Sequence, residues 1–456
     1  MQSSSLALAV TITVFFVVIL LTLRQPRVRL PFVHGSARIS YDIAPIIGVL
    51  VLLLFPFGRT SVLDGIIGTP YVRPYSILML FMSLAYICRS LDLTGFFNYL
   101  ALVAARAAAN SGQRLFVYFF VLSSILTIFT SNDIVILTLT PIICHYAKNT
   151  DSDPIPYLIA QFFAANLWSM TLYIGNPTNI IVAQAYQISF LEYVRWMGLP
   201  TAVAGAACFG LLWLIFRRRI PESIKAPAVA PRDALRDRQG AIFGVVCLST
   251  CVVLMSVSGW LPVAIWFIPF TVALAMLARD AYVHLIASQR IQGSAMRLPT
   301  LLTMPWKVVP FLIGHFIIVE NLSSSGWVDL FASRLSRVSG RLLPSTIGMG
   351  FLSALVANLV NNQPMTILLT RTIQSASFAT DDLTIRGSMF ALIIGSNLGA
   401  NFTFMGSLAG LMWVHICAAK GVTIEWREFV RYGLMVTPIV IALACLTLYV
   451  ELGIMP

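Results

Sequence analysis

Two long apolar stretches of the chain, 115–147 and 343–373, are interrupted at their centres by polar clusters. The clusters are Thr130-Ser131-Asn132-Asp133 and Asn361-Asn362-Gln363-Pro364. A helix that crosses a bilayer needs about 20 apolar residues, and each half of these stretches falls short of that. Irregular backbone at membrane depth survives only where it is buried in protein or lines a cavity. Each stretch is therefore expected to fold as a re-entrant helical hairpin with its polar tip inside the bilayer.

Composition agrees that lipid is the solvent. The 456 residues are 58% hydrophobic and 11% charged, whereas soluble proteins carry about 25% charged residues. Apolar runs lie near 5–23, 43–57, 74–89, 157–185, 196–216, 242–258, 261–278, 305–320, 387–416 and 430–450. The first has neither a basic leader nor a small-residue cleavage site, so it reads as a span and not a signal peptide. The runs 157–185 and 387–416 are too long for simple spans and are interrupted by Gly, Asn or Pro, which marks broken helices.

An internal repeat organises these pieces. Ser83 to Phe96 aligns with Gly314 to Trp327 at an offset of 231. At the same offset Arg106 falls on Arg337, Asn166-Leu167 on Asn397-Leu398, and Gly175 on Gly406. The chain is expected to divide into two related halves, 1–228 with hairpin 115–147 and broken helix 157–185, and 229–456 with hairpin 343–373 and broken helix 387–416. Residues 327–342 carry Arg334, Arg337 and Arg341 in an amphipathic pattern. They and their repeat partner 96–109 read as interfacial arm helices. Each half then holds about five transmembrane helices, one hairpin and one arm. Five is odd, so the second half must be inverted relative to the first. The fold class is an all-α integral membrane protein built as an inverted repeat.

Charge orients it. Loops 24–42, 89–156, 217–241, 279–307 and 417–431 hold 22 of the 30 Lys and Arg, and the other side holds 8. The excess places loop 217–241 in the cytoplasm and both termini outside a plasma or cell inner membrane. The same reading accounts for the net charge of +12 without nucleic acid, since no basic patch interleaves with exposed aromatics.

Inverted repeats with broken helices mark secondary transporters, whose solute binds near the midplane where the breaks meet. Four breaks are expected, at Ser131-Asn132-Asp133, at Gly175-Asn176-Pro177-Thr178-Asn179, at Asn361-Asn362-Gln363 and between Asn401 and Ser407. Exposed backbone N–H groups at half-helix ends carry partial positive charge, and Asn, Ser and Thr add donors and acceptors without net charge. Such a site suits a small oxyacid or anion. The candidate contacts are Ser131, Asn132, Asn176, Thr178, Asn361, Asn362 and Ser407. Asn166 and Asn397 either join them or hold helices together. Asp133 is a carboxylate deep in an apolar segment, a position that is functional by default, and its repeat counterpart Asn362 is neutral. It is the candidate for coupling to a proton or a sodium ion, and it also fits a helix cap. Arg89 and Glu320, which face each other in the repeat, read as interfacial anchors.

No GxxxxGK[ST], HExxH or GxSxG pattern occurs, which argues against ATP hydrolysis by the chain itself and leaves an intramembrane enzyme a distant alternative. No ring of like charges points to a channel. Neither a cofactor nor a metal is indicated. The seven cysteines show no CxxC spacing, so no zinc site or disulfide framework is read.

At these residues the sequence resembles the arsenite/antimonite efflux permeases (ArsB-type) of the ion transporter superfamily with its citrate-transporter-like domain. The resemblance is carried by Ser131-Asn132-Asp133 running into Leu137-Thr138-Leu139-Thr140-Pro141-Ile142, by Pro305-Trp306 and by Asn361-Asn362-Gln363-Pro364-Met365-Thr366. Gly395-Ser396-Asn397-Leu398-Gly399 and Gly406-Ser407-Leu408-Ala409-Gly410-Leu411-Met412-Trp413 complete it. It implies a scaffold plus a transport unit, and efflux of trivalent arsenic or antimony hydroxides driven by protons or membrane potential. It also admits a homodimer and a separate ATPase partner. The segment Gly175-Asn176-Pro177-Thr178-Asn179 is closer to relatives that move silicic acid, organic anions or sodium against protons, so these remain the alternatives.

The charge asymmetry makes a direct test of topology. Single cysteines at positions 2 and 455 are expected to react with an impermeant reagent from outside intact cells, and one at position 230 is not. Labelling at 230 from outside would refute the inverted arrangement.

Overall fold

A computed structural model describes residues 2–29, 36–69, 72–150, 152–224, 231–290, 299–378 and 380–454. Positions 225–230 of loop 217–241, parts of loops 24–42 and 279–307, and position 455 lie outside the described residues. Among the described residues the protein is helical except for one two-stranded antiparallel ribbon, β1 Arg27–Arg29 and β2 Ser36–Arg38.

The first series of helices is α1 Gln2–Arg24, α2 Ile43–Leu53, α3 Pro56–Ile67, α4 Pro74–Leu93, α5 Phe96–Ala107, α6 Gly112–Phe129, α7 Asn132–Asn149, α8 Ile155–Trp168, α9 Pro177–Ala185 and α10 Phe190–Phe216. After the short α11 Pro231–Ala234 come α12 Arg238–Ser256, α13 Phe267–Arg290, the short α14 Pro299–Leu302, α15 Val308–Ser324, α16 Trp327–Val338, α17 Leu342–Val360, α18 Asn362–Gln374, α19 Asp382–Leu398, α20 Leu408–Ala419 and α21 Trp426–Ile454. Eight described helices are long and apolar enough to cross a bilayer, which makes the chain a multi-pass membrane protein.

Local chemistry sets many of the boundaries. Ser111, Ser189, Asp237 and Asp381 each accept a backbone N–H from the first turn of the helix they precede, which satisfies donors that a helix start leaves open. The apolar run 43–57 is not one short span. It breaks at Phe55, and Pro56 opens α3, because proline has no N–H to continue a helix but fits its first turn.

Polar contacts gather the loops at two faces. At one face Arg219 pairs with both Asp153 and Glu428, and Ile224 N–H donates to the Asn110 carbonyl at 2.7 Å. Arg279 pairs there with Asp237, and Arg89 donates to Thr303 at 3.0 Å. At the opposite face Arg386 lies 3.8 Å from Glu192, Gln374 donates to the Ala185 carbonyl at 2.8 Å, and Ser375 donates to Asp329 at 2.6 Å.

These contacts fix directions. The start of α6 and the end of α7 both meet the 219–224 segment, so that pair is a hairpin with its ends on the first face. The end of α18 and the arm that leads into α17 meet at the second face. The path α8–α9 runs from the first face to the second, and α19–α20 runs back. The two series therefore pass through the molecule in opposite senses.

The arms depend on one backbone conformation used twice. Gly95 and Gly326 precede α5 and α16 with φ of 84° and 82°, and α16 leaves α15 at 77°. A Cβ on Gly326 would meet nothing within 4 Å, whereas one on Gly95 would lie 2.0 Å from the Ala234 carbonyl oxygen. Gly326→Ala should therefore cost only the left-handed backbone penalty, about 1–2 kcal/mol. Gly95→Ala should cost clearly more, since backbone must also move. Unfolding of both variants in detergent measures the difference, and equal losses would contradict it.

Candidate functional site

A cavity of about 360 Å³ opens between the scaffold-like helices α4 and α15 and the hairpin–broken-helix elements. Tyr41, Arg89 and His415 line it towards the first face, and Ser131, Asp133 and Gln363 line it where the helices break. Both hairpin tips thus reach one space.

The tips form because their caps replace the missing helix bonds. Ser131 accepts from the Ile134 amide at 3.4 Å, and Asn132 accepts from the Asp133 amide at 2.9 Å. Asn176 accepts from the Thr178 amide at 3.1 Å, and Ser407 accepts from the Gly410 amide at 3.1 Å. Asn361 joins α17 to α18 with φ of 72° and accepts from the Gln363 amide at 3.4 Å. A positive φ on a residue with a side chain stores about 1–3 kcal/mol and persists only where surrounding structure imposes it.

Behind the tips the amides bond to one another across the two series. The Asn397 Oδ1 accepts from Ser169 at 2.8 Å and from Asn176 at 3.0 Å, and its Nδ2 donates to Asn179 at 2.7 Å. Asn166 accepts from Asn132 at 3.1 Å and donates to Asn401 at 2.9 Å. Ser396 donates to Thr178 at 3.2 Å. Asn358 donates to the Gly399 carbonyl at 2.7 Å and accepts from Thr403 at 2.6 Å.

Of the eight residues picked from sequence, Ser131 and Asp133 line the cavity. Asn132, Asn176, Thr178, Asn361, Asn362 and Ser407 are buried beside it. Asp133 stands in the first turn of α7, but Ser131 and not Asp133 is the cap. Asp133 lines the cavity with no ion-pair partner among the described residues. Asn166 and Asn397 hold helices together. In the sequence Gln363 stands out only as part of a break, yet it alone of the second tip lines the cavity. Asn361 Nδ2, Asn362 Oδ1 and Gln363 Oε1 are buried without a protein hydrogen-bond partner. Such groups demand an explanation, because an unmade buried bond costs about 1–3 kcal/mol. They amount to two acceptors and one donor, of which only the Gln363 side chain belongs to a residue that lines the cavity. Arg89 and Glu320 are not free anchors: Arg89 pairs with Asp92 and Glu320 with Arg371.

Asn397→Ala would take away bonds made by Ser169, Asn176 and Asn179 together, so it should destabilise by about 2 kcal/mol or more. Asn132→Ala takes away one inter-helix bond and one cap bond and should cost less. Denaturant unfolding in micelles reads the order, and a wild-type midpoint for Asn397→Ala would contradict the hub.

Residues 12–452 match the family model described as arsenical pump membrane protein. The chain is 30% identical over 370 residues to the arsenical pump membrane protein of Yersinia enterocolitica, covering 78% of this chain and 82% of that one. It is equally identical, with the same coverage, to one of that name from Escherichia coli. It is 24% identical to a 46 kDa membrane protein of Mycobacterium leprae, covering 92% and 96%. In fold it is similar to the crystal structure of the Alcanivorax borkumensis YdaH transporter, with a TM-score of 0.58, 12% identity, and 99% and 98% of the two chains covered. The model spans nearly all of the chain, and the broken helices and paired tips are those of a membrane transporter: the chain belongs to the arsenical pump membrane protein (ArsB) family.

Proposed function

We propose that the chain is a secondary carrier that exports a small trivalent oxyacid, arsenite or antimonite, driven by a proton gradient or the membrane potential. The observation that carries this reading is the set of unpartnered atoms on the second tip, Asn361 Nδ2, Asn362 Oδ1 and Gln363 Oε1, beside a cavity that the first tip also lines. A neutral trihydroxide offers hydroxyls that both donate and accept, so uncharged amides match it without a buried counter-charge. The relatives' names supply the element. Ser131, Asn132, Asn176, Thr178, Asn361, Asn362 and Ser407 form the contacts, either directly or by holding the tips.

In this reading the halves 1–228 and 229–456 are inverted repeats, and the face with Arg219 and Arg279 is cytoplasmic. The cavity then opens to the cytoplasm and loads solute there. Asp133 is the ionisable group beside the guest. It exchanges its proton as access alternates, so that solute movement and proton movement are linked.

Uptake of labelled arsenite, silicic acid and a dicarboxylate into proteoliposomes, under imposed proton and sodium gradients, tests substrate and driving ion together. Arsenite transport is expected, and transport of only another solute would overturn the assignment. Asp133→Asn keeps shape and hydrogen bonding. It should abolish accumulation driven by a pH gradient while leaving solute exchange, because exchange needs only the loaded carrier to reorient. Concentrative transport at the wild-type level in this variant would exclude Asp133 as the coupling group.

A further inference from the structure

The cavity has a collapsed twin. A cleft of about 10 Å³ between α3, α15 and α18 is lined by Val72, Pro74, Ile181, Val319 and Glu320. The large cavity is lined by Thr303, Pro305, Met412, Cys88 and Arg89, and each stands 231 positions from its counterpart. The repeat therefore builds the same space twice, once at each face, and only the copy at the first face is open.

One interaction closes the second copy. Both carboxylate oxygens of Glu320 on α15 accept from Arg371 Nη2 on α18, at 3.1 and 2.9 Å. The side chains are only 18% and 13% exposed, and Asp64 of α3 lines the same cleft. Glu320 belongs to a helix packed on α2 and α3, and Arg371 belongs to the second hairpin. The pair thus ties the hairpin to its surroundings across the cleft. Among the described residues the open copy has no ion pair across its mouth, and its one polar link from α4 to the first hairpin is the neutral hydroxyl of Thr138 donating to Asp92 at 3.1 Å. There Arg89 pairs with Asp92 of its own helix and with Thr303.

We propose that the cleft between α3, α15 and α18 is the second mouth of the solute path and that the Glu320–Arg371 ion pair is the bolt that keeps it shut. The proposal rests on the carrier reading but not on which solute is carried. Opening this mouth requires α18 to withdraw from α15, which separates the pair. The asymmetry also sets a resting preference: the mouth with the inter-element ion pair stays closed and the mouth without one stays open.

Cysteine accessibility tests this in the full-length chain in membranes, with the parent chain as blank. Val319→Cys reports the closed mouth and Leu137→Cys the open cavity. Combining either reporter with Glu320→Gln, or with Glu320→Gln and Arg371→Gln together so that no lone charge stays buried, should shift the population. Labelling of Val319→Cys by a small maleimide should rise about fivefold, a shift on the scale of losing one partly buried ion pair. Labelling of Leu137→Cys should fall in the same variants, and the swap Glu320→Arg with Arg371→Glu should return both towards the parent. Unchanged labelling at Val319→Cys would overturn the bolt. A rise at both reporters would overturn it too, since that is loosening and not exchange between mouths. Reciprocal labelling in a chain that moves no arsenite would sink the arsenite reading and leave the bolt standing.

Discussion

Every helix break placed inside a membrane leaves backbone donors and acceptors that lipid cannot satisfy. This chain answers with side-chain amides, and the bond from Asn397 to Asn179 is the centre of that answer. Asn179 in turn donates to the Ser169 and Leu172 carbonyls, which belong to the unwound turn between α8 and α9. Asn397 sits near the end of α19 and holds Asn176 as well. One residue of the second series therefore stabilises the break of the first. Asn358 and Thr403 do similar work around the break after α19. The breaks stay open as fixed structures, and polar tips can then face a cavity without unravelling the helices that carry them.

The two series share geometry but not chemistry, and the differences lie at functional positions. With the caps Ser131 and Asn361 superposed, Asp133 of the first tip corresponds to neutral Gln363 in the second, and not to Asn362 as the sequence suggests. Arg89 faces Glu320. The strained backbone at Asn361 has no equivalent at Ser131, whose φ is −156°. A transporter with two chemically identical mouths would have no preferred resting state. Here the charges supply one, because an ion pair bridges two elements at one mouth, whereas at the other the ion pair stays within α4 and reaches its neighbours only through the hydroxyls of Thr303 and Thr138.

Much of this was legible in the sequence because breaks and turns have local causes. Thr130 to Asp133 and Asn361 to Gln363 stand out as polar interruptions of apolar runs, and both are helix breaks. Gly95 and Gly326 align in the repeat, and both take the same left-handed conformation. What escaped reading depends on contacts between distant positions. Glu320 looks like an interfacial anchor until Arg371, fifty-one positions on, closes against it. The hub role of Asn397 depends on three partners in the other half. The run 43–57 hid a break because hydropathy averages across Phe55 and Pro56, and the β1–β2 ribbon is too short to leave a periodic signal.

In the carrier reading the two tips and the broken helices hold one solute between them. The most direct measurement is anomalous diffraction at the arsenic absorption edge from crystals of the protein grown with arsenite. A peak is expected within contact of the Asn361–Gln363 tip and facing Ser131 and Asp133. A peak confined to another part of the molecule, or none at saturating arsenite, would contradict it.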